Sequence, residues 1–374
     1  MDSATEACSK PSSFVYLKAA FIAMEPVDCL ISLARQVGGG SITTRVQTFI
    51  LEECINDNAI KGPKLNHKYI KNVLQKLIVA VESTSEVVEG LYEKFAYYLT
   101  INLEDQLLKE NNRICKQVTF LLSPGNSTAV DLVVSLQCSL NMLEGDTGCA
   151  LWPSSLFLSE FILSFQEIFS NRFCFEIGSG VGLVGITLLH AGASKVILTD
   201  GDLSTLANMR CNLKMNNLME ASSVRSSGQP MVECRHLPWE SVSKSELLIY
   251  QPEIVLGADI IYDPLCIPHL IRVLSTLLNS VASEPKANQV GCYRFSQESE
   301  DAQHGLSTSE PPIAYIATVI RNQETFDCFL RVATENSLSV VDVTEMVKPL
   351  NLLPYMQSYD RSSVHLLRVS PICL

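Results

Sequence analysis

The stretch from Arg172 to Val184, Arg-Phe-Cys-Phe-Glu-Ile-Gly-Ser-Gly-Val-Gly-Leu-Val, restricts the folds open to this chain more than any other. Phe173 to Ile177 is a short apolar run with aromatics, which predicts a buried strand. Gly178, Gly180 and Gly182 follow, residues that let backbone turn sharply and approach a ligand closely. Leu183, Val184, Ile186, Thr187, Leu188 and Leu189 then read as the first turns of a helix. Strand, glycine turn and helix in that order form the entry to a nucleotide-type site on an open α/β sheet.

The rest of the chain agrees with such a sheet. Strand patterns lie near 172–177, 195–199, 231–237, 253–258, 313–319, 338–343 and 364–369. Helix patterns lie near 153–169, 181–191, 203–216, 265–280 and 323–335. Alternation of this kind predicts a mainly parallel sheet covered on both faces. Residues 1–117 read instead as a helical N-terminal domain, with Ile70, Val73, Leu74, Leu77, Ile78 and Val81 at helical spacing, and Val88, Leu91, Phe95 and Leu99 likewise. Gly38-Gly39-Gly40 and Lys61-Gly62-Pro63 separate those helices, and nothing in them has catalytic spacing. Residues 118–142, with the turn signal Ser123-Pro124-Gly125-Asn126, predict a β-hairpin and linker. Residues 143–374 form the α/β domain, interrupted at 283–312 by a polar stretch that cannot bury a core and is expected to be a disordered insertion.

Composition removes several classes of function. A net charge of −12 argues against a direct nucleic-acid partner and fits a cationic ligand or a basic protein better. The 13 cysteines, without a C-x-x-C pair or zinc-ligand spacing, read as reduced, mostly buried thiols and no metal site. Lys18 and Glu25 interrupt the apolar run Phe14–Met24, so no signal peptide is expected. Ile177 to Ser194 is uncharged and near spanning length, but five glycines, a threonine and His190 argue against a membrane segment.

The glycine turn itself separates two cofactor classes. A dinucleotide fingerprint is G-x-G-x-x-G, whereas here Leu183 stands at the third glycine position and the pattern is Gly178-x-Gly180-x-Gly182. Glu176 directly before the turn would repel a pyrophosphate but suits a ligand with an ammonium or sulfonium charge. S-adenosylmethionine has both charges and no phosphate. Asp200, 24 residues after Glu176 at the end of the next strand, is placed to accept hydrogen bonds from ribose hydroxyls, or else to cap the following helix, as Asp202 can. The two tryptophans, Trp152 and Trp239, serve either packing or stacking. The strand before Asp259 leads that residue and Tyr262 to the ligand crevice at the carboxyl ends of the strands, the alternatives being a helix cap for Asp259 and packing for Tyr262.

Together, Glu176-x-Gly178-x-Gly180-x-Gly182, Asp200, Asp259-x-x-Tyr262, Thr147-Gly148-x-x-x-Trp152 and Leu237-Pro238-Trp239 resemble the class I, seven-β-strand methyltransferases that modify protein lysines. Arg321-Asn322-x-Glu324-Thr325 and Leu353-Pro354-Tyr355 look most like the members acting on elongation factor 2. The resemblance covers about residues 118–374; the 283–312 insertion departs from it. It implies a Rossmann-like seven-strand fold and S-adenosylmethionine bound by Trp152, Glu176, Gly178, Ser179, Gly180, Gly182, Asp200, Trp239 and Ala258. It also implies a lysine acceptor held at Asp259 and shaped by Tyr262, in a monomeric cytoplasmic enzyme. Because the charge of Asp259 favours a protonated lysine, Asp259 is expected to bind and orient, not to act as a strong base. The competing expectations are a different protein lysine or small amine as acceptor, a non-catalytic cofactor-binding scaffold, and, more remotely, a nicotinamide-dependent dehydrogenase.

Overall fold

Two sheets organise the protein in the computed structural model, which describes residues 13–56, 66–83, 85–105, 113–122, 131–139, 147–218, 231–279 and 311–372. The smaller is an antiparallel ribbon of β1 (Arg113–Phe120) and β2 (Leu132–Ser139). The larger has seven strands: β3 (Phe173–Ile177), β4 (Lys195–Asp200), β5 (Met231–His236), β6 (Ile254–Ala258), β7 (Ile313–Val319), β8 (Leu338–Asp342) and β9 (Val364–Pro371). Their spatial order is β5-β4-β3-β6-β7-β9-β8, parallel except that β9 runs against both its neighbours. The central strands read as unbroken apolar runs because both faces are covered: Cys174, Phe175, Ile177, Val196, Ile197, Leu198, Val255 and Leu256 are all buried. The seven predicted strands are present, with ends shifted by at most a few residues, as are the predicted helices, one of them in two pieces.

One face of the sheet packs under α10 (Lys244–Leu248), α11 (Ile267–Leu278) and α12 (Gln323–Glu335). The other packs under α6 (Pro153–Ser164), α7 (Gln166–Phe169), α8 (Leu183–His190) and α9 (Leu203–Met215). The predicted helix 153–169 is thus two pieces, broken at Phe165, whose backbone leaves the helical region at φ −128°, ψ 53°. A short α13 (Thr344–Val347) precedes the last strand.

The N-terminal helices are α1 (Ser13–Ile22), α2 (Val27–Val37), α3 (Thr44–Phe49, passing into a π-helical turn Ile50–Ile55), α4 (His67–Glu82) and α5 (Glu89–Asp105). In α4 the six residues of the periodic pattern are all buried. In α5 the pattern holds less well: Leu91 is buried but Leu99 is 46% exposed. The ribbon begins earlier than expected, at Arg113, so residues 113–117 belong to a strand and not to the helical part. Arg113, Lys116 and Gln117 break the apolar alternation there, and pairing with β2 supplies the order. The 123–126 turn, the Lys61–Pro63 turn and nearly all of the 283–312 insertion lie outside the described residues.

Buried polar contacts tie the helical part to the sheet. Glu160 on α6 is fully buried and accepts hydrogen bonds from the Leu352 and Leu353 N–H groups and from the Arg361 guanidinium. Glu25 accepts from the N–H and hydroxyl of Ser358, and the Tyr355 hydroxyl accepts from the Thr119 N–H at 2.8 Å. The loop 350–361 is therefore fixed to α6, to the start of α2 and to β1 at once.

A ladder of amides docks the ribbon. Asn208, Asn212 and Asn216 stand one turn apart on α9 and share a face. Asn212 accepts from the Gln137 N–H and donates to the Gln137 and Val181 carbonyls. Asn216 does the same for both backbone groups of Ser135, and Asn208 donates to Gln137 and accepts from Arg113. These side chains satisfy the outward-facing backbone of β2 as a third strand would.

Candidate functional site

The order of the sheet reverses at β3, which has β4 on one side and β6 on the other, and a crevice opens at such a switch point beyond the carboxyl ends of the strands. The glycine turn leaves β3 at this point. Gly178, Gly180 and Gly182 have φ of +65°, +51° and +84°, a region that residues with a Cβ enter at a cost. Close neighbours add to the restriction. A Cβ at Gly180 would lie 2.9 Å from the Gly148 carbonyl oxygen, and one at Gly178 would lie 2.9 Å from Ile260 Cγ2 and 3.4 Å from Trp239 Cζ2. The Thr147-Gly148 segment and Trp239 therefore both border the turn.

Asp200 is bound to the turn directly. Its Oδ2 accepts the Gly180 N–H at 3.1 Å and its Oδ1 accepts the Asp202 N–H at 3.0 Å. The cap of α9 is Asp202, which accepts from Thr205 N–H at 2.7 Å, so capping does not occupy Asp200. Burial pushes the Asp200 carboxyl upward, against the Asp202, Gly180 and Gly201 N–H groups that pull it down. Asp202 is lowered by the Ser204 hydroxyl and the Thr205 N–H.

Glu176 is enclosed, only 1% exposed, in contrast to a carboxylate presented at the mouth. Strand alternation puts it on the α8 face of the sheet, and burial pushes it up to about 8, with the Ser179 hydroxyl and Gly185 N–H acting the other way and Asp200 adding to the rise. Its Oε2 has no hydrogen-bond partner. Ser179 spends its side chain on the turn: its hydroxyl accepts the Thr199 N–H at 3.0 Å, while Thr199 Oγ1 donates to the Glu176 carbonyl at 2.8 Å. A buried acid with one oxygen unpartnered, a turn of three left-handed glycines and an acid at the next strand end suit a ligand with a positive charge and a ribose, as S-adenosylmethionine has.

On the far side of the crevice, Asp259 follows β6 with φ +59°, its N–H donating to the Ala317 carbonyl at 2.8 Å. Its carboxylate is 6% exposed and is held by both arms of the Arg321 guanidinium, at 2.9 and 2.8 Å, with a longer bond from the Val319 N–H. Arg321 in turn lies over the Trp152 ring, 5.1 Å from its centroid, and Trp152 Nε1 donates to the Thr147 carbonyl. The sequence reading assigns no partner to Asp259; Arg321 is that partner. The signal was present as a cation just past the end of the strand in register with β6, where Ala258 pairs Ala317. Tyr262 is 62% exposed, and burial followed by the charges of Cys266, Asp200, Asp263 and Glu240 raises its hydroxyl. Trp239 is buried, its carbonyl taken by Arg272. Among the described residues no cluster of His, Cys, Asp and Glu could hold a metal, and no helix is long and apolar enough to cross a membrane.

Residues 134–303 match the lysine methyltransferase family. A mouse protein named protein-lysine N-methyltransferase EEF2KMT is 27% identical over 272 residues, 72% of this chain and 69% of the mouse protein. Protein-lysine N-methyltransferase EFM3 of Chaetomium thermophilum is 25% identical over 308 residues, 79% of this chain and 80% of its own length. An uncharacterized Dictyostelium discoideum protein is 30% identical over 240 residues, and the chain spans 58% of that relative's length. Residues 134–303, somewhat under half of the chain, are thus similar to the lysine methyltransferase family, and most of the chain is similar to proteins named protein-lysine N-methyltransferases.

Proposed function

We propose that this protein transfers a methyl group from S-adenosylmethionine to a lysine amine of a protein, with elongation factor 2 as the acceptor. The observation that carries the reading is the placement of the turn Gly178–Gly182 and Asp259 at the ends of adjacent strands β3 and β6. When bound, S-adenosylmethionine supplies a methyl group on a sulfonium leaving group. In this reading the glycine turn, Ser179 and Ala258 give it close backbone approach, Trp152 and Trp239 flank it, Asp200 takes the ribose hydroxyls and Glu176 the positive charge. Asp259 and Tyr262 receive the lysine. The lysine nitrogen forms the new N–C bond as the C–S bond breaks, the electron pair leaving with sulfur and the amine proton passing to water. Alignment of the nitrogen is then the main contribution of the protein.

Elongation factor 2 is favoured by Arg321-Asn322-x-Glu324-Thr325 and Leu353-Pro354-Tyr355, and a cytoplasmic monomer with no membrane or direct nucleic-acid contact fits that substrate. The test is incubation of purified protein with radiolabelled S-adenosylmethionine and a cell extract, followed by identification of the labelled band. One band that mass spectrometry identifies as elongation factor 2 carrying a methylated lysine supports the reading; a different labelled protein or a small amine replaces the acceptor. Absence of both transfer and calorimetric cofactor binding overturns it. Asp259→Ala should abolish transfer with cofactor affinity nearly intact.

A further inference from the structure

A carboxylate beside an amine poses a difficulty for methyl transfer. The nitrogen must be neutral to attack, yet a free lysine has its pKa near ~10.4 and a neighbouring negative charge raises it further. Asp259 alone would bind lysine and at the same time keep it inert. The structure does not leave Asp259 alone. Both of its oxygens are held by Arg321 at 2.8 and 2.9 Å, in the two-pronged geometry that an arginine and a carboxylate form. The surrounding titratable groups do not offer the same service. Asp200, Glu240 and Asp263, which act on the neighbouring Tyr262, are acids, and the Cys266 thiol is pushed up to about 11 by burial, Asp263 and Glu240. Arg272 on α11 spends its guanidinium on the carbonyls of Val242 and Trp239.

We propose that Arg321 is a positioning residue of the transfer reaction, which neutralises Asp259 so that the acceptor pocket holds the incoming lysine as a neutral amine. This inference rests on the proposed function, in which Asp259 faces the acceptor. The carboxylate keeps acceptor capacity, since its roughly four lone-pair sites receive two bonds from Arg321 and one long bond from Val319. A neutral amine can therefore still be oriented by a hydrogen bond. The permanent charge of the guanidinium, held over Trp152, works in the same direction by disfavouring a second cation beside it.

The experiment is the pH dependence of kcat from pH 6.5 to 10, with elongation factor 2 as acceptor, or with the protein of the labelled band if that assay names another. The acid limb of this profile reports the pKa of the bound lysine when transfer limits the rate. In Arg321→Gln the uncompensated Asp259 should move that limb up by about one pH unit, so that kcat at pH 7 falls about tenfold and recovers toward the wild-type value near pH 9 to 10. Arg321→Lys, which keeps the charge, should show a smaller displacement. The double variant Asp259→Asn, Arg321→Gln, again neutral, should return the limb to its wild-type position even though kcat is lower. Cofactor affinity by calorimetry should be unchanged in Arg321→Gln.

A loss of kcat in Arg321→Gln that alkaline pH does not restore overturns the proposal, as does a double variant whose limb stays displaced. If Arg321→Gln does not fold, the comparison of Arg321→Lys with the double variant decides in the same way. The failure of the underlying reading has a different signature, since the wild-type protein would then transfer no methyl group at any pH, and this proposal would fall with it.

Discussion

Replacement of Glu176 by glutamine tests the electrostatics of the glycine turn without altering its shape. Burial raises the Glu176 carboxyl from 4.5 to about 8, so between those values the folded chain keeps a proton that the unfolded chain has released. Stability therefore falls as pH rises through this window; the penalty is absent below about 4.5 and complete above about 8. At pH 7 the window has run for about 2.5 units at 1.36 kcal/mol each, a cost of about 3 kcal/mol. Glutamine has the same shape and no charge to bury. Glu176→Gln should be more stable than the wild type by about 3 kcal/mol at pH 7, on the order of 4 °C in melting temperature, and equal to it near pH 4.5. Urea denaturation without cofactor, repeated from pH 4.5 to 8, measures the difference. Addition of S-adenosylmethionine should reverse the order of the gains, with the wild type stabilised more, because its carboxylate then has a cation to pair with. A variant no more stable than the wild type at pH 7, or equally stabilised at all pH values, would show that the carboxylate is already ionised and paired.

Three further perturbations probe other parts of the molecule. Gly180→Val forces a side chain into a left-handed backbone position 2.9 Å from the Gly148 carbonyl oxygen, and should remove cofactor binding with the circular dichroism spectrum retained; unchanged binding by calorimetry refutes the site. Asp200→Ala frees the Gly180 and Asp202 N–H groups and should weaken cofactor binding at least about tenfold, the worth of one charged hydrogen bond, with a shift in fluorescence-detected affinity as the measure. Glu160→Ala leaves the Leu352 and Leu353 N–H groups unpaired and takes the carboxylate from the half-buried Arg361, which keeps only the Leu353 carbonyl, and should cost about 2–5 kcal/mol by chemical denaturation; a loss below about 1 kcal/mol contradicts the anchoring role of this loop.

The sheet was legible in the sequence because parallel strands covered on both faces carry apolar runs that stand out from their polar connections. Phe173–Ile177 and Ile254–Ala258 fall within a residue of their expected limits. The glycine turn was legible for a similar reason, since a left-handed backbone leaves few choices of residue. Arg321 was visible as a motif but not as the partner of Asp259, because their contact spans 62 residues and depends on β6 and β7 being neighbours. The enclosure of Glu176 depends on which side of the strand α8 covers, which alternation does not reveal. Helix α10 was missed although Ser243 and Glu246 form a capping box whose spacing is plain in the sequence; at five residues it is too short to show a period.

The amides of α9 have a consequence for the behaviour of the chain in a crowded solution. An antiparallel ribbon of two strands is barely stable by itself and exposes a backbone edge on which a foreign strand can template. On β2 that edge is filled at Ser135 and Gln137 by Asn216 and Asn212, and no strand can add there without first displacing them. A helix has thus closed the edge of a sheet, and truncating these asparagines to alanine would turn β2 into the point at which this protein begins to aggregate.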